Sequence, residues 1–119
     1  MDDKNLIQKD LIKKIVGDAR GAVGIRLCAI GVNLGIFDNL AKYGSATSEE
    51  LADRMKLDER YLREWGLGMF SLGYLDFDKV SRKLSLNKEF IPVLVEEGGM
   101  FSQKGLIEIL NSSLLPYHE

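Results

Sequence analysis

The sequence predicts a mainly α fold: a winged helix-turn-helix with a two-stranded β-wing and extra helices at its N- and C-terminal ends. Two helix starts follow one another closely, at Thr47 and at Asp58. Large apolar residues recur at helical spacing after the second start, at Tyr61, Leu62, Trp65, Met69 and Leu72. Two short alternating segments, Tyr74 to Phe77 and Lys83 to Leu86, then flank a polar turn from Asp78 to Arg82. Helix, tight turn, helix and hairpin in that order make the motif.

At 119 residues, 45% hydrophobic and 29% charged, the chain has the size and balance of one globular domain, 1–119. It divides into N-terminal helices over 1–42, the helix-turn-helix and wing over 47–86, and C-terminal helices over 87–115. Residues 4 to 16 read as an amphipathic helix. Leu6, Ile7, Leu11, Ile12, Ile15 and Val16 supply its apolar side, and Lys9, Lys13 and Lys14 its wet side. Gly17 is expected to stop it and Asp18 to cap a second helix near 19–42.

That second helix carries only one charge between Gly21 and Phe37, at Arg26. Gly24, Cys28, Gly31 and Gly35 form a stripe of small residues, and Leu27, Ile30, Leu34 and Phe37 a stripe of large ones. Glycine in a helix interior costs about 1 kcal/mol against alanine. So many on one face imply that another backbone comes close there. Either an intrachain helix crossing or a subunit contact meets that requirement. The charge-free run from Leu27 to Phe37 is far short of the ~20 residues of a membrane span.

In the central motif, Thr47 and Glu50 form a capping box that opens a helix with Leu51, Ala52 and Met55 inward. Lys56 and Leu57 turn the chain. Asp58 caps the next helix, with Leu57 and Leu62 placed as a hydrophobic staple, and Gly73 ends it. After the wing, Phe90 to Val95 is apolar, and Pro92 places a regular helix start close to itself. Gly98 and Gly99 break this segment. Ser102 is placed to cap a last helix over 102–114, with Leu106, Ile107, Ile109 and Leu110 apolar and Phe101 facing Leu106 as a staple.

Reactive constellations are missing from the pattern. The one histidine, His118, sits at the end of the chain, and no Ser or Cys has a histidine placed to activate it. No His/Cys cluster has metal-ligand spacing. Gly17, Gly21 and Gly24 resemble a phosphate loop in glycine content alone, because an amphipathic helix precedes them instead of a buried strand. Trp65 lies on a core face, where packing accounts for it better than a ligand wall does. Cys28 is the only cysteine, which rules out an internal disulfide and suits a reducing cytoplasm.

A winged helix invites a DNA-binding reading, with the second helix as the reader. Charge opposes it. The chain carries 16 basic and 18 acidic residues, net −2. Asp58, Glu59 and Glu64 share the outward face of the reading helix with Arg60 and Arg63, and Leu67 and Phe70 also point away from the core. Duplex affinity depends on neutralising phosphates, and only the wing tip, with Lys79, Arg82 and Lys83, is locally basic.

The run ATSEELADRMKLDERYLREWGLGMFSLGYLDFD, then LSLNKEF, resembles the N-terminal winged-helix domain of class I S-adenosylmethionine-dependent methyltransferases of the small-molecule, O-methyltransferase-like kind. GIFDNLAKYGSATSEELA before it and GGMFSQKGLIEIL after it extend the likeness over about 25 to 110. The resemblance implies a domain that mediates dimerisation and covers the substrate pocket of a Rossmann-like catalytic domain, without reading DNA. It implies S-adenosylmethionine as cofactor of the parent enzyme, with no cofactor site, metal site or catalytic residue in this chain. The glycine-rich cofactor loop of the family is not in this sequence. The expectation is therefore an isolated N-terminal domain, with Leu115-Pro116-Tyr117 as a linker, or else a stand-alone remnant.

On this reading Gly24, Cys28, Gly31 and Gly35 are the candidate homodimer interface. Leu27, Leu34, Phe37, Met100 and Phe101 are the candidate wall of the substrate pocket. The expected partners are a second copy and a catalytic methyltransferase domain, its own or a partner's, with no membrane and no specific nucleic acid. The alternatives are a winged-helix transcriptional regulator and a stand-alone interaction module.

Overall fold

The computed structural model describes residues 3–113. Its helices are α1 (Asp3–Asn33), α2 (Ile36–Tyr43), α3 (Ser48–Met55), α4 (Glu59–Ser71) and α5 (Lys104–Ser113). The wing strands are β1 (Asp76–Phe77) and β2 (Leu84–Ser85). Between β2 and α5 lie a 3-10 turn, Lys88–Phe90, and a π-helical turn, Ile91–Val95.

The first correction concerns α1. It runs through Gly17 as one 31-residue helix, roughly 46 Å long at 1.5 Å per residue. A Cβ at Gly17 would meet nothing within 4 Å beyond its own helix, and the helix formers on either side carry the ladder past it. The break falls instead at Gly35, whose φ of 76° is left-handed. Leu34 N donates to the Ile30 carbonyl and Gly35 N to that of Val32, and α2 leaves at 63° to α1. The expected helix over 19–42 is thus the end of one helix, a glycine elbow and a second short helix. No single helix among the described residues is long and apolar enough to cross a membrane.

The helix-turn-helix forms as its sequence signals require. Thr47 Oγ1 accepts from Glu50 N at 3.1 Å while Glu50 Oε1 accepts from Thr47 N at 2.9 Å, a complete capping box. Those hydrogen bonds hold the Glu50 carboxyl below its usual pKa. Lys56 turns at φ 58°, and Asp58 caps α4 through Tyr61 N at 3.1 Å. Gly73, with φ 90°, follows the last turn of α4.

The wing strands are two residues long, not four. The amides of Tyr74 and Leu75 bond back to the Met69 carbonyl at 2.8 and 3.4 Å, so α4's final turn claims them. β1 and β2 pair antiparallel as Asp76↔Ser85 and Phe77↔Leu84. Ala46 bridges Leu84 from the other side, with backbone bonds of 2.7 and 3.0 Å. The regular helix expected at Pro92 is a π turn with Pro near its start, preceded by an Asn87 cap on Glu89 N.

The core sits between α2, α3, α4 and the last turns of α1, built on Ile36, Phe37, Leu51, Leu62, Trp65 and Met69. Tyr61, expected in it, is exposed on α4. No polar or charged side chain is buried among the described residues. The molecule measures 54 × 36 × 33 Å, with a radius of gyration of 16.6 Å. A compact chain of this length would have about 13.5 Å, and α1 accounts for the difference.

Candidate functional site

Helix α1 changes character along its length. At about 100° per residue, Gly24, Cys28 and Gly31 share one face. That face is buried in the chain's own core. A Cβ on Gly31 would meet Phe37 Cε2 at 2.5 Å and Trp65 Cζ2 at 2.6 Å; one on Gly24 would touch Tyr74 and Leu72 at 3.6 and 3.7 Å. The missing side chain at Gly31 lets the indole reach the helix backbone, where Trp65 Nε1 donates to the Leu27 carbonyl at 2.9 Å. Phe37 packs on the same indole at 5.5 Å between centroids.

Cys28 is 1% exposed, and burial raises its thiol pKa to about 11, partly offset by a hydrogen bond from Tyr74. Of the two readings of the small-residue stripe, the close approach is therefore intrachain for Gly24, Cys28 and Gly31. Their surface is taken by α2, α4 and the segment after it, and a second copy has no access to it. Gly35 is not on that face at all, because it forms the elbow.

A different face of α1 is exposed to solvent. Every residue from 3 to 21 is exposed, and so is Val23. Ile12, Val16, Ala19 and Val23 align within about 60° of one another, about 120° around the helix from Gly24, Cys28 and Gly31. Leu11 and Ile15 flank them. The lower end of this stripe borders a groove of about 390 Å³ between α1 and α4, lined by Val16, Val23, Leu27, Gly68 and Leu72 among others. Arg20 Nη2 donates to the Ser71 carbonyl at 3.3 Å and ties the two walls together. The apolar side of 4–16 was legible as amphipathic, but an amphipathic helix is expected to turn that side inward, and this one turns it to solvent.

The five candidate wall residues do not converge. Phe37 is 0% exposed and belongs to the core, so it cannot face a ligand. Leu27 borders the α1–α4 groove. Leu34 lines a separate cleft of about 490 Å³ at the elbow, facing α5, with Asp38, Glu97, Lys104 and Glu108. Lys104 Nζ donates there to the Val95 carbonyl at 3.3 Å and pairs with Glu97 at 3.2 Å. These polar residues carried no motif by which to find them in the sequence. Met100, 89% exposed, and Phe101 stand in solvent before α5 and line neither cavity. Phe101 and Leu106 are both exposed, so the staple expected of them leaves neither side chain buried.

The outward face of α4 offers little to a phosphate backbone. Arg60 pairs with Glu64 at 3.5 Å and Arg63 with Glu59 at 3.8 Å, each within the helix. Leu67 and Phe70 lie exposed beside them, the Phe70 ring tilted at 51° against Phe77 of the wing with centroids 5.8 Å apart. Among the described residues no cluster of three His, Cys, Asp or Glu side chains is placed to hold a metal ion. His118 and the segment Leu115-Pro116-Tyr117 lie outside the described residues.

Residues 21–95 match the family described as the Rv2258c-like winged HTH domain. The chain belongs to that family. A search by sequence among curated proteins finds no match. By structure, the chain is similar to PigF with SAH, at 18% identity and a TM-score of 0.71, covering 87% of this chain and 30% of that one. It is also similar to an O-methyltransferase family 2 protein from Planctomyces limnophilus in complex with apigenin, at 24% identity and a TM-score of 0.68, covering 88% and 30%. Human N-acetylserotonin methyltransferase in complex with SAM matches at 17% identity and a TM-score of 0.68, covering 87% and 31%. The winged-helix fold expected from the sequence is the fold observed, and these methyltransferase structures share it. The winged HTH chain spans about 30% of the length of PigF and of the P. limnophilus protein.

Proposed function

We propose that this winged HTH domain pairs two copies of its chain and covers the acceptor pocket of an S-adenosylmethionine-dependent methyltransferase, in the cytoplasm. One observation carries the reading: the outer half of α1 holds large apolar side chains in solvent, Ile12, Val16 and Val23 aligned on one face with Leu11 and Ile15 beside them. Full burial of such side chains is worth about 1.5–3 kcal/mol each, and an exposed apolar surface of this extent marks an interaction site. The structural neighbours support the parent activity. PigF was solved with SAH and human N-acetylserotonin methyltransferase with SAM. The cofactor belongs to a catalytic domain, the chain's own or a partner's. Holding it takes a parallel sheet with a glycine-rich first turn, and the strands among the described residues are the two antiparallel ones of the wing. Leu34, Met100 and Phe101 are exposed and so open to contact with such a domain.

Light scattering at micromolar concentration should report twice the chain mass, and titration of S-adenosylmethionine into the chain alone should give no heat. A monodisperse monomer removes the pairing role. A stoichiometric micromolar cofactor complex removes the division of labour. Nanomolar binding to one duplex DNA sequence, lost on Arg63→Ala, would replace both with a transcriptional regulator; the paired arginines of α4 lead us to expect only weak, non-specific binding.

A further inference from the structure

We infer that the face shared by α3, α4 and the wing is a docking site for an acidic segment of another protein, one that sets an aliphatic side chain beside a carboxylate. The site is independent of the pairing and pocket-covering roles proposed above, and no residue of α1 lines it. At its centre is a cavity of about 20 Å³. Leu67, Phe77 and Leu84 supply its apolar lining, and Ser48, Arg63 and Arg82 its polar lining. Three elements meet there because a side chain is missing. A Cβ on Gly66 would collide with Leu84, so glycine lets the wing seat against the backbone of α4. Ala46 bridges Leu84 on its other side and brings the start of α3, with Ser48, to the cavity.

The arginines assign an acid to this site. Glu59 Oε2 accepts from the Ser48 hydroxyl and lies 3.8 Å from Arg63 Nε, so one carboxylate is divided between two donors. Arg82 has no acid partner among the described residues. Its backbone is held at φ 63°, the left-handed region that glycine fills without strain. Asp78 fixes the turn that puts it there. The Asp78 carboxylate accepts from Val80 N at 2.8 Å and Ser81 N at 3.2 Å, and the Asp78 carbonyl accepts from Arg82 N at 2.6 Å. A turn with no further duty would be served by glycine at this position. It carries instead a guanidinium beside an apolar cavity, and such a backbone outlier points to a function. The guanidinium is a planar fork of donors that matches a carboxylate.

Size and surroundings select a protein segment as the occupant. Small-molecule sites enclose roughly 300–1,000 Å³. This cavity holds little more than a water, so it takes the tip of one side chain of a larger partner. The exposed ring of Phe70, packed on Phe77, extends the apolar surface beyond it. A duplex would instead bring phosphates to Asp58, Glu59 and Glu64 on the same helix and leave Leu67 and Phe70 without an apolar partner. Side chains two apart share one side of an extended segment, so the docking segment places its aliphatic and acidic residues at i and i+2.

Fluorescence anisotropy on the full chain tests this with a labelled peptide repeating Val-Ser-Glu-Ser. Binding should saturate, weaken with salt, and be about tenfold tighter than to a peptide repeating Val-Ser-Lys-Ser. Arg82→Gly is the sharpest variant, because glycine suits the left-handed backbone and the wing keeps its turn. It should hold the thermal midpoint and lose about tenfold in affinity for the glutamate peptide. Leu67→Ser should weaken binding as well, while Lys79→Ala, on the same wing but outside the cavity, should leave it unchanged. Equal affinity for the two peptides, or no binding to either, overturns the inference. An equal loss from Lys79→Ala overturns it too, since diffuse wing charge would then be the cause. Mixed-sequence duplex DNA bound more tightly than the glutamate peptide, and released by Arg82→Gly, reassigns the face to nucleic acid. The oligomeric state, which decides the pairing role, does not enter these readouts.

Discussion

The two halves of α1 lie in one unbroken helix and do opposite things. Both carry two glycines and several branched apolar residues, the outer half among charged residues and the inner with Arg26 alone. In the inner half, Gly24 and Gly31 admit aromatic rings, and the helix becomes a wall of the core. In the outer half, Gly17 and Gly21 admit nothing, and apolar side chains stand in water. What differs is what stands opposite: Trp65, Phe37 and Tyr74 for one half, and for the other only an open groove against α4 near Arg20. Small residues in a helix mark a close approach only where the fold supplies something to approach.

Removing the ring that defines the inner half should have the largest effect. Trp65→Ala deletes a buried indole and its hydrogen bond to the Leu27 carbonyl, and a loss of about 3–5 kcal/mol is expected, measured by urea unfolding. If the loss stays below 1 kcal/mol, the inner half is not organised by this residue.

The inner half should also respond to alkali through Cys28. Burial holds its folded pKa at about 11, above the 9.0 of an ordinary thiol. The buried neutral thiol therefore contributes stability that is present below pH 9 and is lost as pH rises from 9 to 11, on the order of 2–3 kcal/mol at 1.36 kcal/mol per unit. Cys28→Ala should flatten that part of the pH–stability curve relative to wild type. An unchanged slope would place the thiol outside the core.

The most direct comparison is one substitution made in each half. Gly31→Ala forces a Cβ into Phe37 and Trp65, and overpacking of this kind costs about 1–3 kcal/mol. Gly17→Ala enters open space and lies off the apolar stripe, so it should stabilise the helix by about 1 kcal/mol, seen as higher helicity with association kept or strengthened. Equal signs for the two variants would mean that the halves do not differ as described.

Local chemistry was enough to write much of this structure in advance. The capping box at Thr47 and Glu50, the Asp58 cap, the Gly73 stop and the hairpin order are set by side chains bonding to backbone within a few residues, so the motif was legible from spacing alone. So was the charge balance of α4, where each arginine has its acid one turn away. Other features depended on contacts distant in sequence. Gly17 and Gly35 are alike as letters; only the packing of Ile36 and Phe37 into the core turns the chain at the second. Strand length in the wing was decided by the Met69 carbonyl, which takes the amides of Tyr74 and Leu75. Phe37 and Met100 were both apolar candidates for a ligand wall, and the fold buried one completely and left the other in solvent. Amphipathic periodicity tells which residues of a helix share a side, because that follows from 3.6 residues per turn. It does not tell what that side meets, because burial is a property of the assembled chain.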